Sequence, residues 1–173
     1  MRITDLKLYP VGTRRATGAV SPHIIVKLMT DEGAVGVGEM SDLGHSPVMP
    51  DVDRLEGALK GALLGVDPFD PARIDGVVDR FPSPLGAGID TAVHDLRGKA
   101  LGVPVHDLYG GAYRRRYKIC YPIFRHRDVS EVERNIERAG EALKLGFDLI
   151  RVYVGGNLQA DEAFLRTLKE TYG

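Results

Sequence analysis

The chain has 173 residues, enough for one domain or one and a fraction. A net charge of −1, with 43% hydrophobic and 27% charged residues, fits a globular chain and gives no electrostatic ground for a nucleic-acid or anionic-membrane partner. A single cysteine, Cys120, excludes an intramolecular disulfide and points to a cytoplasmic setting, and neither an apolar run of membrane-spanning length nor a signal segment is present.

Residues 3–11 carry Ile3, Leu6 and Leu8 among polar neighbours and predict a half-exposed strand. Residues 12–21 are rich in Gly, Arg, Thr and Ser; they read as a loop that holds Arg14 and Arg15. A β-branched run at 23–29, the turn Asp31-Glu32-Gly33 and a strand at 34–40 complete a three-stranded antiparallel meander. Gly36 and Gly38 in its last strand permit close backbone approach. A second loop at 41–50 holds Asp42 and His45; a histidine in a polar loop suits either a solvated surface position or a ligand contact.

Val52, Leu55, Leu59 and Leu63 recur at helical spacing, with Asp51 placed to cap the helix and Gly65 to stop it. Asp70 before Pro71 predicts a second N-terminus, for a helix running to about residue 79. Two prolines and two glycines make residues 81–88 a loop, and the clearest helix is expected at 89–101. His94 and Asp95 are adjacent on that helix and face different ways, so both read as structural. A short helical turn at 104–108 closes at Gly110-Gly111, and the Arg114-Arg115-Arg116 run reads as a solvated turn.

From residue 117 the order becomes strand (117–124), helix (130–145), strand (149–154) and helix (160–172), the mark of parallel βα units. Cys120, in the first of these strands, is expected to be a buried small side chain. Ser130 followed by Glu133 reads as a capping box. The near-continuous apolar run 149–154 suits a strand covered on both faces, which calls for more neighbours than these two units supply. Arg151 and Tyr153 interrupt that run two residues apart, so the pleat points both to one side. A cation beside a phenol lowers the cost of ionising it, so Tyr153 suits a general base. The same two residues also suit packing, with Arg151 paired to an acid and Tyr153 buried by its ring.

These features resemble the enolase superfamily: an α+β cap with a three-stranded antiparallel meander plus helices, then the start of a TIM-type (β/α) barrel. The helix at 88–102 and Leu108-Tyr109-Gly110-Gly111 are similar to its mandelate racemase-like branch. Within that branch Val37-Gly38-Glu39-Met40-Ser41-Asp42, the block Cys120–Arg127 and Arg151-Val152-Tyr153-Val154-Gly155 resemble galactarate dehydratases with a tyrosine base. Arg151-x-Tyr153 stands where most of the branch has Lys-x-Lys. The resemblance implies a cap over residues 1–115, the first two βα units of a barrel over 116–173, and a small-molecule dicarboxylic sugar acid as substrate. The implied reaction removes the proton α to a carboxylate and eliminates water from the β carbon. Tyr153 would be the base and Arg151 the charge that keeps it ionisable. Arg15, His45 and Arg125 would hold substrate carboxylates or hydroxyls.

The implied cofactor is Mg2+, with its three acidic ligands on the third to fifth barrel strands and so outside this chain; Glu39, Asp42 and Asp95 belong to the cap. The implied assembly is a homo-oligomer, or association with the remaining barrel. Two other outcomes fit the same residues: a cap fragment that folds and associates without chemistry, and a dehydratase for another aldarate. Where this dehydratase type carries a tyrosine-bearing loop, residues 81–88 carry no tyrosine.

Overall fold

A computed structural model describes residues 1–14, 20–41, 43, 49–81 and 83–173. It divides into two compact units, Met1–Ala112 and Tyr113–Gly173.

The first unit is built on the meander β1 (Ile3–Arg14), β2 (Val20–Thr30) and β3 (Val35–Met40), paired antiparallel in that order. Ile3 and Leu6 are both buried although three apart, which strict alternation forbids. The register shift between Ile3 and Asp5 resolves this: one extra residue in β1 turns both side chains to the core. The first two strands outrun the expected 3–11 and 23–29, because the ladder continues through Gly12↔Pro22 and Thr13↔Ser21 to Arg14↔Val20. Main-chain pairing does not depend on apolar side chains. Pro22 is tolerated because β3 pairs with β2 no further than Ile24↔Met40, so nothing on that side asks for its missing N–H.

Two helices, α1 (Val52–Leu63) and α3 (Ser83–Leu101), pack on the sheet, and α2 (Pro71–Val78) packs against both of them. The core joins Leu6, Ile24 and Leu28 of the sheet to Leu59 and Leu63 of α1, Ile74 of α2, and Ile89 and Val93 of α3. Asp51 and Asp70 cap as expected, accepting from the N–H groups of Arg54 at 3.0 Å and Arg73 at 3.2 Å. Asp70→Ala should therefore cost about 1 kcal/mol, read as a lower urea midpoint at unchanged slope.

The expected loop at 81–88 is a correction. From Ser83 onward it is the first two turns of α3. Pro84 sits in the first turn, where its missing N–H is no loss. Gly88 lies inside the helix because the helix rests on the sheet there: a Cβ on Gly88 would strike Met40. The expected close approach at β3 is on the other side of the same contact, where a Cβ at Gly36 or Gly38 would run into the α3 backbone. His94 and Asp95 are both engaged within this unit. Asp95 accepts from Val37 N at 2.7 Å and Lys99 Nζ at 2.6 Å, while the His94 ring stacks on Tyr109 at 5.1 Å. A final short helix, α4 (Val105–Leu108), precedes the two glycines.

The second unit alternates β4 (Tyr121–Ile123), α5 (Val132–Lys144), β5 (Ile150–Val152) and α6 (Leu158–Tyr172), with β4 and β5 parallel. This is a three-stranded cap followed by the start of a (β/α) barrel. Both strands are shorter and more open than expected. Tyr117 and Ile119 are 72% and 75% exposed, and Leu149 and Val154 about half exposed, so the runs 117–124 and 149–154 are not buried strands. Each strand has one neighbour among the described residues, and residues without a ladder partner leave strand geometry. Cys120 is half-buried for the same reason, not enclosed.

The capping box at Ser130 is also corrected. Asp128 accepts from Ser130 N at 2.8 Å, Glu131 accepts from Arg127 N at 2.9 Å, and a 3-10 turn, Val129–Glu131, leads into α5. An ionised carboxylate at a helix N-terminus is a stronger acceptor than a hydroxyl. The Ser130 N–H accordingly holds the Asp128 carboxyl below the usual carboxylate range. Among the described residues no helix is long and apolar enough to cross a membrane.

Candidate active site

Candidate chemistry gathers at the C-terminal end of β5. The parallel ladder runs one bond past the strand, from Tyr153 N to Ile123 O at 2.9 Å, so Tyr153 keeps the pleat that began at Ile150. Arg151 and Tyr153 therefore share a side, and the Arg151 guanidinium carbon lies 4.5 Å from the Tyr153 ring centroid. The contact is a cation over an aromatic face. The Tyr153 ring also stacks on Phe124 at 5.3 Å with the planes 15° apart. Arg151 is exposed and pairs with no carboxylate among the described residues, whereas Tyr153 is half-buried. The acid partner that packing would give Arg151 is thus not found among the described residues, and the ring contacts that packing would give Tyr153 are.

Arg125 is exposed, and its Nε donates to the Val154 carbonyl at 3.1 Å. That bond ties the segment leaving β4 to the segment leaving β5 and leaves the other guanidinium N–H groups for a ligand. Arg15 and His45, with Asp42, lie outside the described residues.

A pair that the sequence did not single out lies beneath. His126 and Asp161 are 0% and 3% exposed. Asp161 Oδ1 accepts from His126 Nδ1 at 3.0 Å and its Oδ2 accepts from Gly155 N at 2.7 Å. These bonds, the Gly155 N–H foremost, hold the Asp161 carboxyl below the usual range against the opposing effect of burial. His126 sits inside the block Cys120–Arg127, but its partner is 35 residues on. The only local signal was an acid in the first turn of a helix capped by Asn157.

Among the described residues no group of three His, Cys, Asp or Glu is placed to hold a metal ion. Glu39 stands 2.7 Å from His23 Nδ1, and Asp95 is taken up by Val37 and Lys99. The described residues therefore do not fit a magnesium site.

The model of one family, "Mandelate racemase / muconate lactonizing enzyme, N-terminal domain", matches residues 2–110. The chain belongs to that family. Family membership makes it a member of the enolase superfamily, with the cap and the beginning of the barrel that the structure shows. It is 28% identical to an N-succinyl-L-Arg/Lys racemase of Bacillus cereus, over 100% of this chain and 50% of that protein. It is 37% identical to a D-galactonate dehydratase of Verminephrobacter eiseniae, over 68% of this chain and 30% of that protein. The muconate lactonizing enzyme of Pseudomonas putida superposes with a TM-score of 0.80 at 21% identity, over 100% of this chain and 50% of that one, a likeness of fold. The chain thus spans at most about half the length of these mandelate racemase/muconate lactonizing enzyme relatives.

Proposed function

We propose that the complete enzyme is an acid-sugar dehydratase, with galactarate as the substrate, and that Tyr153 is its base. The observation that supports this most is the Arg151 guanidinium lying against the Tyr153 ring at the C-terminal end of a parallel strand. That end is where (β/α)-barrel enzymes place their chemistry. Ionised Tyr153 takes the proton α to a substrate carboxylate. The C–H electron pair becomes the carbon–carbon double bond of an enediolate as the negative charge moves to the carboxylate oxygen. When that charge returns, the α–β double bond forms, the C–O bond to the β hydroxyl breaks, and the hydroxyl takes up a proton, balancing the one removed, and leaves as water. Arg151 supplies the positive charge beside the phenolate. Arg15, His45 and Arg125 are the proposed contacts to the substrate's carboxylates and hydroxyls, since a fork of N–H donors suits a dicarboxylate. Mg2+, which the resemblance implies, would be held by residues other than those described.

A second reading comes from the racemase relative, which aligns over the whole chain. Racemisation shares the first step and differs in the fate of the carbanion, which is reprotonated instead of losing water. Incubating the full-length enzyme with galactarate and Mg2+ in deuterated water separates the two. The dehydratase releases a keto product one water lighter; inversion without elimination returns a sugar acid that has lost no water and carries deuterium at the α carbon. The 173-residue chain by itself is expected to give no turnover under the same conditions, because no acidic group of three for the metal occurs among its described residues. Turnover by a mass-verified 173-residue chain would contradict that.

A further inference from the structure

His126 and Asp161 are buried polar groups that the proposed reaction leaves unused. Asp161 only accepts, so the His126 proton that faces it sits on Nδ1. His126 Nε2 is buried with no partner among the described residues, so Nδ1 is the ring's single polar anchor. The rest of the ring packs on Phe164 at 4.8 Å.

The pair reaches the segments on either side of Tyr153. Gly155 follows Tyr153 by two residues and has a φ of 93°, a turn that favours glycine; its N–H is spent on Asp161. His126 follows by two residues Phe124, the ring on which Tyr153 stacks. A Cβ at Gly156 would strike the His126 carbonyl oxygen, so the two segments meet backbone to backbone. One carboxylate thus joins the end of β4, the end of β5 and the N-terminus of α6. A buried hydrogen-bonded pair that includes a carboxylate is a poor source of stability, since desolvation offsets much of its attraction. What this one supplies is geometry at Tyr153.

We propose that the His126–Asp161 pair is a positioning device for Tyr153: it holds the Gly155 backbone against the end of β4 and so sets the direction in which the Tyr153 hydroxyl is presented. The consequence for rate rests on the reading of Tyr153 as the base; the consequence for ring position does not.

Asp161→Asn is the test. Asparagine offers one acceptor oxygen and one NH2, so its NH2 meets the N–H of His126 or of Gly155, and the ring escapes this only by moving its proton to Nε2, which is buried with no partner among the described residues. In the 173-residue chain, NMR should show Gly155 amide exchange faster by about tenfold or more, with the Tyr153 ring resonances displaced. In the full-length enzyme kcat should fall on the order of 10- to 100-fold, with KM changed less than about threefold. Asp128→Ala removes only the cap of the 3-10 turn that leads into α5 and should leave the ring resonances and kcat at parent values. Tyr153 ring resonances that stay put in Asp161→Asn overturn the proposal. Resonances that move while kcat holds support the positioning and count against Tyr153 as the base, which Tyr153→Phe decides separately. If Asp161→Asn does not fold, His126→Gln takes its place. It keeps the Asp161–Gly155 bond and removes the ring, and it must still displace the Tyr153 resonances; parent resonances there overturn the proposal.

Discussion

Tyr153→Phe in the full-length enzyme is expected to remove nearly all turnover while the fold survives. The substitution deletes one hydroxyl, and the ring contacts to Phe124 and to the Arg151 guanidinium do not use it. A lost general base costs on the order of two to four powers of ten in rate. Arg151→Lys should be milder, since it keeps a charge near the ring and loses the flat guanidinium that lies over it. The measurement is exchange of the substrate α-proton with deuterated water, which reports the first step whether water leaves or a proton returns afterwards. Exchange at the parent rate in the Phe variant would remove Tyr153 from the chemistry and leave it as a packing residue.

Gly38→Val is expected to carry the largest cost in stability, about 3 kcal/mol, seen as a sharply lower urea midpoint of the 173-residue chain. Gly38 is not in the left-handed region, so its backbone conformation does not require glycine. The space does: a Cβ there would meet the Gly88 carbonyl oxygen and lie 2.7 Å from Ala92 N. Both obstacles are helix backbone, which cannot swing aside like the end of a side chain. A valine could enter only by lifting α3 off β3, which would loosen the packing of Ile89, Ala92 and Val93 in the core. Gly57 makes the control, since a Cβ there meets nothing within 4 Å. Gly57→Ala should hold or raise stability, because alanine is the better helix former. A Gly38→Val midpoint close to the parent's would show that β3 and α3 are not in close contact.

Short-range features of this chain were legible without a structure. The meander, the caps at Asp51 and Asp70, and the βαβα order after residue 116 rest on periodicities and on hydrogen bonds spanning three or four residues. The common side of Arg151 and Tyr153 follows from the pleat of one strand. Three features needed the tertiary structure. Residues 83–88 carry one proline and two glycines, which locally disfavour a helix, and they are helical because a strand lies against them closely enough to exclude a Cβ at Gly88. Apolar residues around β4 and β5 read as enclosed, but enclosure depends on which strands lie alongside: among the described residues Leu149 has β4 on one side alone, and Tyr117 and Ile119 lie outside the ladder. The His126–Asp161 pair, with the hold it takes on Gly155, joins residues 35 apart. No spacing rule links two such positions, because only the return of the chain through α5 and β5 brings a helix N-terminus under the end of β4 and buries both groups where each must find the other.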